Sequence, residues 1–417
     1  MADILIGIDS GTSVIKAVAF DLAGRQLAAC SVPNIYQTGA DGSATQSLTR
    51  TWQDCARALQ GLGAKVPGLA VRTAAVSVTA QGDGTWLADK GNAPVGDAWL
   101  WLDARAAPTV ERLATGQLNR GRFEAAGLLA GTPVSLGYVD MVMTALGAGV
   151  YSDAPAACST IGSTGVHMRS TDVAGVHLNA GGTGYVICLP VPGMVTQVQT
   201  NMAASLNIDW RLRMAAELMA DLGKPVKPAD LVPLIGAWVA ASPPGALIYH
   251  PYISEAGERG PFVNAHARDG FIGLSSSTRF ADLLRAVVEG LGMAMRDCYA
   301  AIGAMPEELQ LTGGAARSKS LRGVLAAAVN APVRVSSREE AGAAAAAMMA
   351  AVAVGVYPTM QACVAEWVTP LLGEAEAPDP DLAGVYARLY PSYQQARQAL
   401  GPAWAGLSAL REARGAK

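Results

Sequence analysis

Short apolar runs separated by small polar turns divide the chain into two similar successions. Ile4–Ile8 predicts a strand that ends in Asp9-Ser10-Gly11-Thr12-Ser13. Val14–Phe20 predicts a second strand, Asp21-Leu22-Ala23-Gly24 a turn, and Gln26–Ser31 a third strand. An amphipathic helix follows near Leu48–Leu62, then a strand at Thr73–Val78, which together predict a mixed sheet with a crossover helix. Thr132–Gly137 predicts a short strand and Val139–Leu146 a helix start. The pattern then restarts. Ser159–Ile161, Gly184–Leu189 and Met194–Val198 read as strands, Ile208–Leu222 and Arg279–Ala301 as helices. Glu308–Thr312 and Val333–Val335 predict strands, alternating with helices at Leu321–Asn330 and Ala341–Val354. Two βββαβ-like halves, each opening on a Gly/Ser/Thr turn, predict a duplicated fold around a central cleft.

A chain of 417 residues suits two domains rather than one core. Just over half of the residues are hydrophobic and 16% are charged, enough for large buried cores. The net charge of −3 gives no electrostatic case for nucleic acid or an anionic membrane. The longest apolar stretch, Ala341–Val356, is Ala-rich and too short for a membrane span, so it reads as a buried helix. Cys30, Cys55, Cys158, Cys188, Cys298 and Cys363 show neither CxxC pairing nor metal spacing and read as reduced, buried thiols. His167, His177, His250 and His266 read as surface or packing residues. These features predict a cytoplasmic protein.

Three turns carry candidate chemistry. In Gly7-Ile8-Asp9-Ser10-Gly11-Thr12-Ser13-Val14-Ile15-Lys16, a buried strand delivers Asp9 to a turn whose N–H groups can face phosphate oxygens. A carboxylate placed there can hold Mg²⁺ through water. The same residues would also suit an ordinary hairpin turn. Gly162-Ser163-Thr164-Gly165 repeats the small-residue turn in the second half. Leu311-Thr312-Gly313-Gly314-Ala315-Ala316-Arg317-Ser318 places two glycines between a strand and a helix, where backbone can approach a flat ligand such as adenosine. It has neither the GxGxxG nor the GxxxxGK[ST] spacing. Glu339-Glu340 reads as favourable charge in the first turn of a helix.

Two phosphate-type turns in successive halves resemble the sugar kinase, heat-shock ATPase and actin superfamily. Five ordered segments make the resemblance specific: Gly7–Lys16, Thr79–Gly84, Trp99–Arg105, Gly131-Thr132-Pro133-Val134 with Asp140, and Leu311–Ser318. They occur in the order seen in FGGY carbohydrate kinases. The resemblance implies an α/β fold of two actin-like, ribonuclease H-like domains, with an acceptor-binding domain over 1–150 and a nucleotide-binding domain over 151–417. It implies ATP and Mg²⁺, with Asp9 at the metal. Ser10, Gly11, Thr12, Ser13, Lys16, Ser163, Thr164, Gly165, Gly313, Gly314, Ala315 and Ser318 fall at the nucleotide. Within the family, Gln81-Gly82-Asp83-Gly84-Thr85-Trp86 resembles the erythritol kinases, where xylulose kinases show Met-His-Gly and glycerol kinases Arg-Glu. His250–Gly260 is similar to that subgroup too.

A polyol is recognised by hydroxyl-accepting groups against an apolar wall. Gln81 and Asp83 supply the first, and Trp86 or Trp101 the second. Asp103 and Arg105 are either ligands or a structural ion pair, and the resemblance places Asp103 near the site. Asp140 begins a helix, where the dipole favours a carboxylate able to accept the hydroxyl proton. An ordinary helix cap would use the same residue, but its position matches the family's general base, which makes it both catalytic and acceptor-binding.

The chain departs from the family after Arg105, where Pro108–Ala114 and Gly121–Gly127 lead almost directly to Gly131. A block comparable to a small domain is absent between about 106 and 131. The implied reaction is ATP plus erythritol giving erythritol phosphate and ADP. Its rivals are the same chemistry on another polyol or a ketose such as xylulose, or a pseudokinase that binds nucleotide without turnover. The expected partner is a small polyol or sugar, with no nucleic acid, no membrane, and a homodimer as the assembly to test.

Overall fold

The computed structural model describes residues 2–39, 43–82, 84–89, 91, 93–100, 134–151 and 156–415. They form two compact units: Met1–Tyr151 with Ser337–Leu372, and Ser152–Ser336 with Gly373–Lys417. The expected helical stretch at Pro108–Ala114 and the segment Gly121–Gly127 lie outside the described residues.

The first unit is built on a five-stranded sheet. Its strands are β1 (Ile4–Ser10), β2 (Val14–Asp21), β3 (Gln26–Pro33), β4 (Thr73–Ala80) and β5 (Val134–Leu136), in the order β3-β2-β1-β4-β5. β1, β2 and β3 form an antiparallel meander, whereas β4 and β5 continue parallel to β1. Alternate residues of β1 face opposite sides. Ile4, Ile6 and Ile8 pack with Ala58, Leu59 and Leu62 of α1 (Leu48–Lys65). Ser47 caps α1 by accepting the Arg50 N–H.

On the other side, α2 (Asp140–Gly147) and the late helix Ala341–Ala353 close in. The latter is apolar all round and buried along nearly its whole length, as such helices are. Residues Ser337–Leu372 thus belong with the first unit, although a linear division at 150 assigns them to the second.

The second unit repeats the arrangement. β6 (Ala157–Ile161), β7 (Gly165–Asp172), β8 (Tyr185–Cys188), β9 (Met194–Asn201), β10 (Leu309–Thr312) and β11 (Val333–Val335) lie in the order β8-β9-β7-β6-β10-β11. Here four antiparallel strands are extended by two parallel ones. Helices α3 (Ser205–Asp221), α4 (Phe280–Ile302) and α5 (Lys319–Val329) contribute to one core. We number Ala341–Ala353 as α6.

β7 was not expected, because Gly-Val-His-Met-Arg-Ser-Thr-Asp has no apolar run. Its buried polar groups are instead paired: His167 Nδ1 lies 2.9 Å from Ser159 Oγ and Nε2 2.9 Å from Asn201 Oδ1. All six cysteines are free. Cys158, Cys298 and Cys363 are buried, but Cys188 is exposed on the edge strand β8, contrary to the expectation of burial. His167 and His250 are buried packing residues.

Glu258 is a buried carboxyl in the second unit. Its Oε1 accepts the N–H groups of Met202 and Arg259 at 3.0 and 2.9 Å, and Oε2 has no hydrogen-bond partner among the described residues. Burial pushes this carboxyl up to about 8 against the pull of the backbone donors. The folded chain therefore keeps a proton that the unfolded chain releases above its ordinary value of 4.5. Stability falls as pH rises through that window. Between pH 5 and 8 the wild type should lose at least about 2 kcal/mol relative to Glu258→Gln. Urea midpoints at the two pH values check this, and parallel midpoints contradict it.

Candidate active site

In the first unit the carboxyl ends of three adjacent parallel strands converge, the place where open α/β sheets bind ligands. β1 ends at Asp9 and Ser10, β4 leads into Gln81, and β5 leads through Gly137 and Val139 to Asp140. The segments are tied together. Gln81 N donates to Ser10 O at 3.1 Å, Thr79 Oγ1 donates to Tyr138 O at 3.0 Å, and Gly137 N donates to Val78 O at 3.2 Å. A Cβ on Gly82 would stand 2.6 Å from Val139 Cγ2, so a larger residue there would have to displace the Val139 side chain.

Asp9 and Lys16 face each other across β1 and β2 and so share one face of the sheet. That face carries α6, and a Cβ on Gly342 would already stand 3.3 Å from Asp9 Oδ2. Lys16 Nζ donates to Glu340 Oε2 at 2.7 Å. Glu340 is thus the residue before α6 and also an ion-pair partner, a role that sequence reading missed. Burial raises the Asp9 carboxyl to about 6; Lys16 opposes the shift and Glu340 adds to it.

Thr12 Oγ1 donates to Gln81 Oε1 at 2.8 Å, and Gln81 Nε2 donates to Gln46 Oε1 at 2.7 Å. Gln81 is 8% exposed, with both ends of its amide engaged. Asp140 is the first residue of α2, with Val139 before it as the cap position, and its Oδ1 accepts the Met141 N–H at 2.7 Å. Asp83, Trp101, Asp103 and Arg105 lie outside the described residues. Trp86 is half-buried against Gly84.

The second unit holds its own pair of turns. The carbonyls of Gly162 and Ser163 accept from Ser205 N and Ala204 N at 2.8 and 2.7 Å, which anchors that turn to the start of α3. A Cβ on Gly165 would press on His167 Nε2 at 3.0 Å. Gly313 has φ +87°, and a Cβ there would collide with Ile161 O at 2.6 Å, whereas Gly314 faces open space. The Ala315 side chain is part of the core, and Ser318 caps α5 by accepting the Leu321 N–H at 3.5 Å. Among the described residues there is no cluster of three metal-ligating side chains, and no helix is long and apolar enough to cross a membrane.

A twice-repeated meander-plus-parallel sheet, with glycine-rich turns at its strand ends, defines the actin-like class of phosphotransferase fold. Residues 4–118 match the N-terminal domain and residues 157–354 the C-terminal domain of the FGGY family of carbohydrate kinases. An erythritol kinase from Brucella abortus (strain 2308) is 56% identical over 505 residues, covering 96% of this chain and 97% of that protein. A xylulose kinase from Staphylococcus epidermidis (strain ATCC 35984) is 27% identical over 67% of this chain and 54% of its own length.

Among solved structures, a ligand-bound xylulose kinase from Lactobacillus acidophilus has a TM-score of 0.83 at 18% identity, covering 97% of this chain and 99% of that one. The chain belongs to the FGGY family of carbohydrate kinases. The 505-residue alignment takes in only about 400 residues here (96% of 417), so roughly one hundred residues of the Brucella protein have no counterpart.

Proposed function

We propose that this kinase transfers the terminal phosphate of ATP to erythritol. The observation that carries the reading is the junction of the Ser10–Ser13 turn, the Gln81 segment and the Asp140 loop at three neighbouring strand ends. The near end-to-end likeness to a protein named erythritol kinase supports the choice of acceptor.

Asp140 accepts the proton of the attacking hydroxyl, and its place at a helix start favours negative charge there. The N–H side of the Ser10–Ser13 turn and the Lys16 ammonium take nucleotide phosphate, and the Ser163–Gly165 and Gly313–Gly314 turns are the nucleotide-binding segments of the second unit. Asp83, Trp101 and Asp103 hold the polyol, and Gln81 belongs to the same acceptor segment. Asp9 fits a Mg²⁺ ion, because a carboxyl whose charge is penalised by burial gains from a divalent cation beside it. The ion would neutralise charge on the transferring phosphate.

A carboxylate at Asp83, in the segment where xylulose kinases carry Met-His-Gly, favours a short polyol over a ketopentose. ADP release measured across erythritol, glycerol, xylitol and xylulose should give the highest kcat/KM for erythritol. A preference for xylulose contradicts the assignment.

A further inference from the structure

A turn that binds phosphate must present N–H groups to the ligand and keep its carbonyls turned away. In the Ser10–Ser13 turn, three consecutive carbonyls are held by two residues that no motif singled out. Gly11 O accepts from Asn34 Nδ2 at 2.9 Å, Thr12 O from Gln46 Nε2 at 3.0 Å, and Ser13 O from Asn34 N at 2.8 Å. Asn34 and Gln46 are 3% and 1% exposed. Neither comes from β1 or β2, which frame the turn.

Gln46 also does something Asn34 does not. Its Oε1 accepts from Gln81 Nε2, and Gln81 Oε1 accepts from Thr12 Oγ1, whose own carbonyl returns to Gln46. The three residues close a ring. Each amide is fixed in one orientation, because turning either over would set oxygen against oxygen or nitrogen against nitrogen. Buried polar networks of this kind specify a single geometry when every member is satisfied. Gln81 opens the segment assigned to the acceptor, so the ring joins both substrate-binding elements of the first unit.

We propose that Gln46 is a positioning residue that locks the phosphate-binding turn to the acceptor-binding segment through the Thr12–Gln81–Gln46 ring. The inference rests on the reading of Ser10–Ser13 as a nucleotide phosphate site. On this account Gln81 serves the acceptor by orienting Gly82 and its neighbours rather than by touching the polyol. A bland alternative is that the two glutamines merely fill the interior, in which case their loss lowers stability and leaves ligand affinity alone.

Calorimetric titration of the full chain with Mg-ADP separates the two, using Gln46→Glu, Gln46→Leu, Gln81→Leu and the Gln46→Leu/Gln81→Leu pair. Glutamate keeps the acceptor for Gln81 but sets an oxygen against Thr12 O. Each single variant should bind Mg-ADP about tenfold more weakly, the loss expected for one strained or missing buried hydrogen bond. The double variant should be no weaker than Gln46→Leu, since a ring is broken only once.

The Gln81 variant is the decisive one, because the Gln81 side chain touches no carbonyl of the turn. Wild-type binding with unchanged affinity in the folded variants overturns the proposal, as do additive losses in the pair. Failure of all the variants to fold overturns it too, because it assigns the ring to ligand geometry. A wild type that does not bind Mg-ADP refutes the nucleotide reading of the turn itself, and the inference falls with it.

Discussion

Asp140→Asn should lower kcat by roughly 10²–10⁴-fold while leaving nucleotide affinity nearly unchanged, the usual contribution of a general base. Asparagine preserves the shape of the side chain and can still accept the Met141 N–H that Asp140 Oδ1 accepts at 2.7 Å. It cannot take up a proton from a hydroxyl. A residue kept only to start α2 would lose little, because asparagine is as good as aspartate at helix starts. The loop that carries Asp140 is fixed to the neighbouring strand end by the Thr79–Tyr138 bond and the Gly82–Val139 approach, so the substitution has little to disturb beyond the proton. Steady-state kinetics with calorimetry of Mg-ADP reads both quantities. A variant retaining more than about a tenth of wild-type kcat contradicts the role, since a tenfold loss is only about 1.4 kcal/mol.

Gly7→Ala should cost the fold about 3 kcal/mol or more. A Cβ on Gly7 would stand 1.8 Å from Ala343 O and 2.6 Å from Ala343 C, both backbone atoms of α6. Neither side can yield cheaply. Gly7 is paired with Val18 on one flank and Ser77 on the other, so β1 cannot shift without its neighbours. Helix α6 is pinned at a second point, where a Cβ on Gly147 would stand 2.0 Å from Ala341 O. Overpacking costs 1–3 kcal/mol where side chains can rearrange, and more where only backbone can move. The same displacement would carry Gly342 off Asp9 and Glu340 off Lys16. Denaturant midpoints of wild type and variant decide it; coincident midpoints contradict the packing.

What was legible in the sequence follows from what makes an element stable locally. β1, β2 and β10 are apolar runs ending in glycine-rich turns, and both the strands and the turns could be read directly. β7 could not. Its interior is polar, and the partners that make burial of His167 tolerable, Ser159 and Asn201, come from two other strands. The Ala-rich helix was legible as buried, but a helix with no polar face does not tell which sheet it covers; it covers the first unit's. Asn34 and Gln46 were invisible for a related reason. A buried amide acts through partners such as Gly11, Thr12 and Gln81, which only the folded chain brings together. Asp140 is proposed as the base from the order of motifs. Glu340 was read only as a charge at a helix start, because its partner Lys16 is 324 positions away.

The central claim is that a chain lacking roughly one hundred residues of its Brucella relative still carries out phosphoryl transfer. Of the elements assigned to that step in the first unit, Asp9, the Ser10–Ser13 turn and Asp140 lie at strand ends of one sheet and in their loops, and Lys16 lies on β2 opposite Asp9. The purified chain incubated with Mg-ATP and erythritol, followed by mass spectrometry of the polyol, tests it most directly. The account predicts erythritol phosphate formed in step with ADP. Mg-ADP binding by the folded chain, with no phosphorylated polyol above the enzyme-free control, would contradict it.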